Sequence, residues 1–162
     1  MAQTLVKQYT HIAFSTKTRA DLISFEIERE LFAYFGGIAN GNNSKLLAAG
    51  GTANHLHLLV SISKNIALSE FVGDIKRDSS KWIKTKNVEF KNFRWQDGYG
   101  AFSVGYAQIN DAKRYIDNQK EHHKKKSFED EFRYFLNKYE MDYDERYVWD
   151  QVETSLRRRQ IQ

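Results

Sequence analysis

The chain has neither cysteine nor proline among its 162 residues. Without thiols there is no disulfide, no thiolate metal site and no cysteine nucleophile, and a reducing cytoplasm is the compartment this composition fits. Without proline, turns fall to Gly, Asn and Asp, and no proline-rich linker divides the chain. Long apolar runs are missing as well. The opening MAQTLVKQYT carries no apolar stretch of the secretory kind, and nowhere is there a run of the roughly 20 apolar residues that a bilayer-crossing helix needs. No membrane partner is expected. A strong excess of one charge is absent too: 25 Lys and Arg stand against 21 Asp and Glu, a net +4, which only mildly favours an anionic partner.

What is present reads as one globular domain over 1–149 followed by a polar, basic tail, 150–162. Apolar residues at 41% and aromatics at 14% supply a core. Basic residues gather in 76–91, in 120–126 and at Arg157, Arg158 and Arg159, whereas acidic ones crowd 129–131 and 140–145.

The pattern of elements is β-α-β-β-α-β followed by further helices. A first strand is expected over 6–15, and a helix from Phe25 to Ile38 through Leu31, Phe32 and Phe35. Two strands, 44–49 and 53–62, follow, with Gly50-Gly51 as a hairpin turn of positive φ. Leu68, Phe71, Val72, Ile75, Ser79, Trp82 and Ile83 then mark one stripe of a second helix. Extended segments at 93–96 and 101–107 precede a helix that Asn110 or Asp111 would cap, running through Tyr115 to His123. Ser127 with Asp130 opens a last helix through Phe128, Phe132, Phe135 and Leu136. This order is that of an α+β, ferredoxin-like (RRM-like) sandwich: an antiparallel sheet with helices on one face and an additional C-terminal helix bearing the tyrosine.

Two constellations carry chemistry. In His55-Leu56-His57-Leu58-Leu59-Val60 the alternation of a strand puts His55, His57 and Leu59 on one face and Leu56, Leu58 and Val60 on the other. Same-face imidazoles two apart can converge on a divalent ion or serve only as structural side chains, and the spacing does not choose. Tyr115 and Gln119, four apart on a helix, share a face. A phenol can attack a phosphodiester and form a covalent intermediate, or simply fill a core. His11 reads as a structural neighbour; His122 and His123, three and four residues after Gln119, could face the site as ligand or proton carrier or simply open a solvated basic run, the preferred reading. Lys76, Arg77, Lys81, Lys84 and Lys86 could neutralise phosphates, with Trp95, Tyr99 or Phe102 stacking on bases.

Taken together, His55-Leu56-His57 and Tyr115-x-x-x-Gln119 resemble the His-hydrophobe-His and single-tyrosine motifs of IS200/IS605-type transposases, small members of the HUH endonuclease superfamily. Similar runs flank them: Asn54-His55-Leu56-His57-Leu58-Leu59, Lys76-Arg77-x-Ser79-Ser80-Lys81-Trp82, and Trp95-Gln96-Asp97-Gly98-Tyr99-Gly100-Ala101-Phe102-Ser103. The resemblance spans Tyr9 to Trp149. It implies metal-dependent cleavage and rejoining of single-stranded DNA with hairpin ends, with Tyr115 as nucleophile forming a 5′-phosphotyrosine. It further implies Mg²⁺ or Mn²⁺ held by His55, His57 and Gln119, and a homodimer whose site can be shared between copies. Asn54 stands where one common version carries an acid. The competing reading is a noncatalytic RRM-like module that binds single-stranded nucleic acid; it leaves the coincidence of His55, His57, Tyr115 and Gln119 unexplained.

Overall fold

The computed structural model describes residues 2–149. The expected tail, 150–162 with Arg157, Arg158 and Arg159, lies outside the described residues. Four strands form one antiparallel sheet in the order β2-β3-β1-β4, with β1 at Tyr9–Ser15, β2 at Lys45–Gly51, β3 at His55–Ser61 and β4 at Gly100–Val104. Two split βαβ units interlock to give that order: α1 (Phe25–Gly41) joins β1 to β2, and α2 (Leu68–Lys84) joins β3 to β4.

Strand alternation divides the side chains into two layers. On one face Ile12 and Phe14 of β1 and Leu56, Leu58 and Val60 of β3 pack with Leu31 and Phe35 of α1 and Phe71, Val72, Ile75 and Ile83 of α2. The other face carries His11 and Ala13 of β1 with His55 and His57 of β3, cross-strand pairs fixed by the register Ala13↔His57 and Ser15↔His55. Three helices cover this second face: α3 (Ile109–Asp117), α4 (Gln119–His122) and α5 (Phe128–Lys138). Phe128, Phe132, Phe135 and Leu136 of α5 bury against Ala13 and Phe102, each contributing roughly 1.5–3 kcal/mol of hydrophobic stabilisation. Ser127 caps α5 by accepting from the Asp130 N–H, as its sequence predicts.

Three local expectations are corrected. Gly50 and Gly51 are not the hairpin turn; both lie inside β2, neither has positive φ, and the connection is Thr52 to Asn54. They are glycines because space is absent: a Cβ on Gly50 would collide with the carbonyl of Ile116 in α3, and one on Gly51 with the carbonyl of His55. The segment 93–96 is not a strand of the sheet, holding only an isolated bridge between Trp95 and Thr16. Finally, the single helix expected to run to His123 is two, broken at Asn118, and Asn110 and Asp111 lie in the first turn of α3 with no capping role.

Candidate active site

β3 and its neighbour β1 deliver the imidazoles. His55 and His57 are 1% and 0% exposed. Asn54 accepts from His55 through a 2.7 Å contact between its Oδ1 and Nδ1, with Thr52 Oγ1 2.9 Å from the same nitrogen. A carboxamide oxygen only accepts, so the ring proton sits on Nδ1 and the Nε2 lone pair faces inward. His11 Nε2 lies 2.7 Å from His57 Nδ1, and the opposite nitrogen of His57, Nε2, is 2.6 Å from Glu131 Oε1. Burial, followed by the charge of His57, lowers the pKa of both His11 and His55 from 6.5 to about 3, so both rings are neutral at pH 7.

Glu131, reaching down from α5 and 1% exposed, is the hub of the site. Its Oε2 accepts from the Tyr115 hydroxyl and, at 3.3 Å, from Gln119 Nε2, and it lies 3.2 Å from His123 Nε2. Burial by itself would raise this carboxyl, but the contacts with His123, His57 and Tyr115 outweigh it and hold the group well below the usual carboxylate range. The Tyr115 phenol moves the other way: burial first, then the negative charge of Glu131, pushes it well above its ordinary value. At neutral pH the nucleophile candidate is therefore protonated, with its proton directed at a carboxylate.

Several atoms suit a cation. His55 Nε2 and Gln119 Oε1 are 3.2 Å apart, and with the His55 proton on Nδ1 each presents a lone pair to the other. A positive ion would satisfy both. His123 Nε2 is buried and, although 3.2 Å from Glu131 Oε2, has no partner aligned for a hydrogen bond. One ligand atom from each of His55, His57, His123 and Glu131 falls within 4.8 Å of all the others, a mixed nitrogen and oxygen set that suits divalent ions.

Residues 4–119 match the family described as "Transposase IS200 like". The chain belongs to that family. The transposase is 30% identical over 125 residues to the transposase for insertion sequence element IS200 of Salmonella typhimurium and to its counterpart in Salmonella typhi, covering 70% of this chain and 78% of each relative. Its fold is shared with a candidate transposase from Deinococcus radiodurans R1 at TM-score 0.58 and 22% identity, covering 74% of this chain and 95% of that one. A REP-associated tyrosine transposase bound to a REP hairpin aligns at TM-score 0.53 and 13% identity, covering 72% and 68%.

In the transposase all four motif residues meet within one chain: the rings of Tyr115 and His57 are 5.9 Å apart, and Gln119 touches His55. Tyr106, the other tyrosine near α3, instead lies against Tyr9. His11 is the structural neighbour expected. His123 is not part of a solvated run; its ring packs 4.1 Å from that of His55, whereas His122 is exposed and edges onto Tyr115.

The proposed DNA contacts on and near α2 are placed differently from the site. α2 lies in the layer on the opposite side of the sheet. Trp95 is 5% exposed, its indole N–H donating to Ser79, and Phe102 is 2% exposed, so neither has a free face for a base. Lys76 donates to the carbonyls of Gln96 and Gly98 and lies over Tyr99, and Arg77 pairs with Asp74 and Asp78. Lys81 and Lys84 remain exposed on α2. Sequence reasoning missed Glu131. The available signal was a carboxylate set on the apolar stripe of Phe128, Phe132 and Phe135, where a solvated acid has no place.

Proposed function

We propose that this transposase cleaves and rejoins single-stranded DNA through a covalent 5′-phosphotyrosine on Tyr115. The observation that carries the reading is the Tyr115 hydroxyl donating to a buried carboxylate beside two imidazoles. Tyr115 Oη attacks phosphorus, the bond to the 3′ oxygen breaks, and the strand is left with a free 3′-OH. Glu131 Oε2 is the atom placed to receive the phenol proton, and return of that proton to the departing 3′ oxygen balances the step. Rejoining is the reverse attack by a 3′-OH, so the bond energy is conserved and no external energy source is needed.

His55, His57 and Gln119 would hold Mg²⁺ or Mn²⁺, with His123 and Glu131 within reach of the same ion. A bound ion supplies Lewis acidity and orientation for the phosphate oxygens. The chain's own residues orient the donors: Asn54 fixes the His55 tautomer, taking the place of the acid found in one version of the motif, and His11 supports His57. The DNA partner in this reading is single-stranded with hairpin ends, a reading supported by the REP hairpin to which the fold relative is bound. A homodimer belongs to the reading too, although the site draws on residues of one chain; light scattering tests it.

The deciding experiment incubates the protein with labelled single strands from the flanks of its own gene and Mg²⁺ or Mn²⁺. A covalent adduct is expected, lost in Tyr115→Phe with DNA binding retained. The absence of an adduct with every end-derived strand would sink the enzyme reading and leave the binding module standing.

A further inference from the structure

The histidine face does not end at the active site. Along β3 the same face continues from His57 through Leu59 to Ser61, and along β1 from His11 back to Tyr9, while Lys45 of β2 pairs with Ser61 in register. At that far end the face opens into a groove of about 820 Å³. Its charged lining is Lys7, Lys45, Lys64 and Lys113, with no carboxylate. Among the described residues none of these four lysines has an ion-pair or hydrogen-bond partner for its ammonium group. Tyr106, 81% exposed, leans against Tyr9 at the groove wall with ring centroids 6.3 Å apart.

We infer that this groove carries the sugar-phosphate backbone of the single strand whose scissile phosphate lies at Tyr115. Four uncompensated ammonium groups around a trough suit a polyanion that passes through it, and an exposed tyrosine at the wall offers a stacking face indifferent to sequence. The groove is tied to the nucleophile by one rigid element. Ile109, Asn110 and Lys113 of α3 line it, and Tyr115 follows on the same helix; six residues from Ile109 to Tyr115 span about 9 Å. A strand held here is thereby fixed in position relative to the phenol within a few nucleotides. The inference rests on the single-stranded DNA substrate proposed above and assigns to it residues that neither motif includes.

The test is binding of a labelled oligothymidylate, followed by fluorescence anisotropy across a NaCl series with chelator present so that no cleavage intervenes. Replacing Lys7, Lys45, Lys64 and Lys113 by Ala is expected to make the slope of log K against log salt shallower by about 0.7 per lost contact, so by about 2 to 3 in all. Tyr106→Ala is expected to weaken binding about fivefold or more with the slope unchanged. A thermal melt matching wild type qualifies the fourfold variant; failing that, Lys45→Ala and Lys64→Ala singly, each with a slope loss of about 0.7, carry the same test.

An unchanged slope, no binding by wild type, or a loss confined to hairpin duplex with single strands unaffected each overturns the groove. The two readings fail separately. A slope loss without any covalent adduct keeps the groove and removes the catalysis, whereas an adduct with an unchanged slope does the reverse.

Discussion

At the scale of single residues, Glu131 is the side chain whose replacement should be most informative. Glu131→Gln keeps the shape but removes the negative charge that faces the Tyr115 proton, and adduct formation should fall by about a hundredfold or more. Single-turnover cleavage of a labelled strand measures this, and a rate within a few fold of wild type would remove Glu131 from the chemistry. The histidine pair and the Tyr115 to Gln119 spacing were legible in sequence because each obeys the period of its element: two for a strand, close to four for one helical turn. Glu131 was not, since what brings it to the site is the fold-back of α5 across the sheet, a tertiary event with no local period. Trp95 misled for the converse reason: an aromatic near a basic helix looks the same in sequence whether its ring is free or, as here, in contact with Phe14 and Phe93.

At the scale of elements, the contact between β2 and α3 is the tightest that positions the nucleophile. Gly50→Ala should cost about 1–3 kcal/mol, because backbone rather than a flexible side chain occupies the space a Cβ needs. The displaced carbonyl belongs to Ile116, next to Tyr115, so adduct formation should fall with it; a chemical denaturation curve and a cleavage assay on one preparation check both. The βαββαβ order was readable because each stripe and each alternation is long enough to be unambiguous. Gly50-Gly51 was not, since a glycine required by a close approach and one required by positive φ are the same letter. The break between α3 and α4 was equally hidden: Asn118 adopts φ −95° and ψ 17°, a departure that no Gly or Pro announces. On the other side of the site, Phe132→Ala should destabilise by about 3–5 kcal/mol, since that ring packs among Phe102, Phe128 and Trp149.

At the scale of the whole molecule, the buried site makes stability depend on acid. In the folded chain His11 and His55 resist protonation until about pH 3, whereas in the unfolded chain they take protons near 6.5. Their contribution is complete above about pH 6.5 and is lost progressively as pH falls toward 3. Glu131 works in the same direction, since its carboxyl is held down in the fold and loses that advantage as pH falls below about 4.5. Melting temperatures in chelator should be level from pH 8 to 7 and decline steadily below 6.5; a curve flat to pH 4.5 would contradict the burial of these groups.

The same roof of α5 over His55, His57 and Gln119 imposes gatekeeping on everything the site receives. With α5 in place His55 and His57 have almost no exposed surface, so an ion binds those two rings only when the packing around them opens, and its entry rate is scaled by the opened fraction. Loosening the roof then speeds entry while lowering stability, and because Glu131 rides on α5 the gain is one of rate rather than affinity. Phe132→Ala should melt earlier than its parent yet load Mn²⁺ faster in stopped-flow mixing, a pairing of effects opposite to that of a residue that merely props the site up.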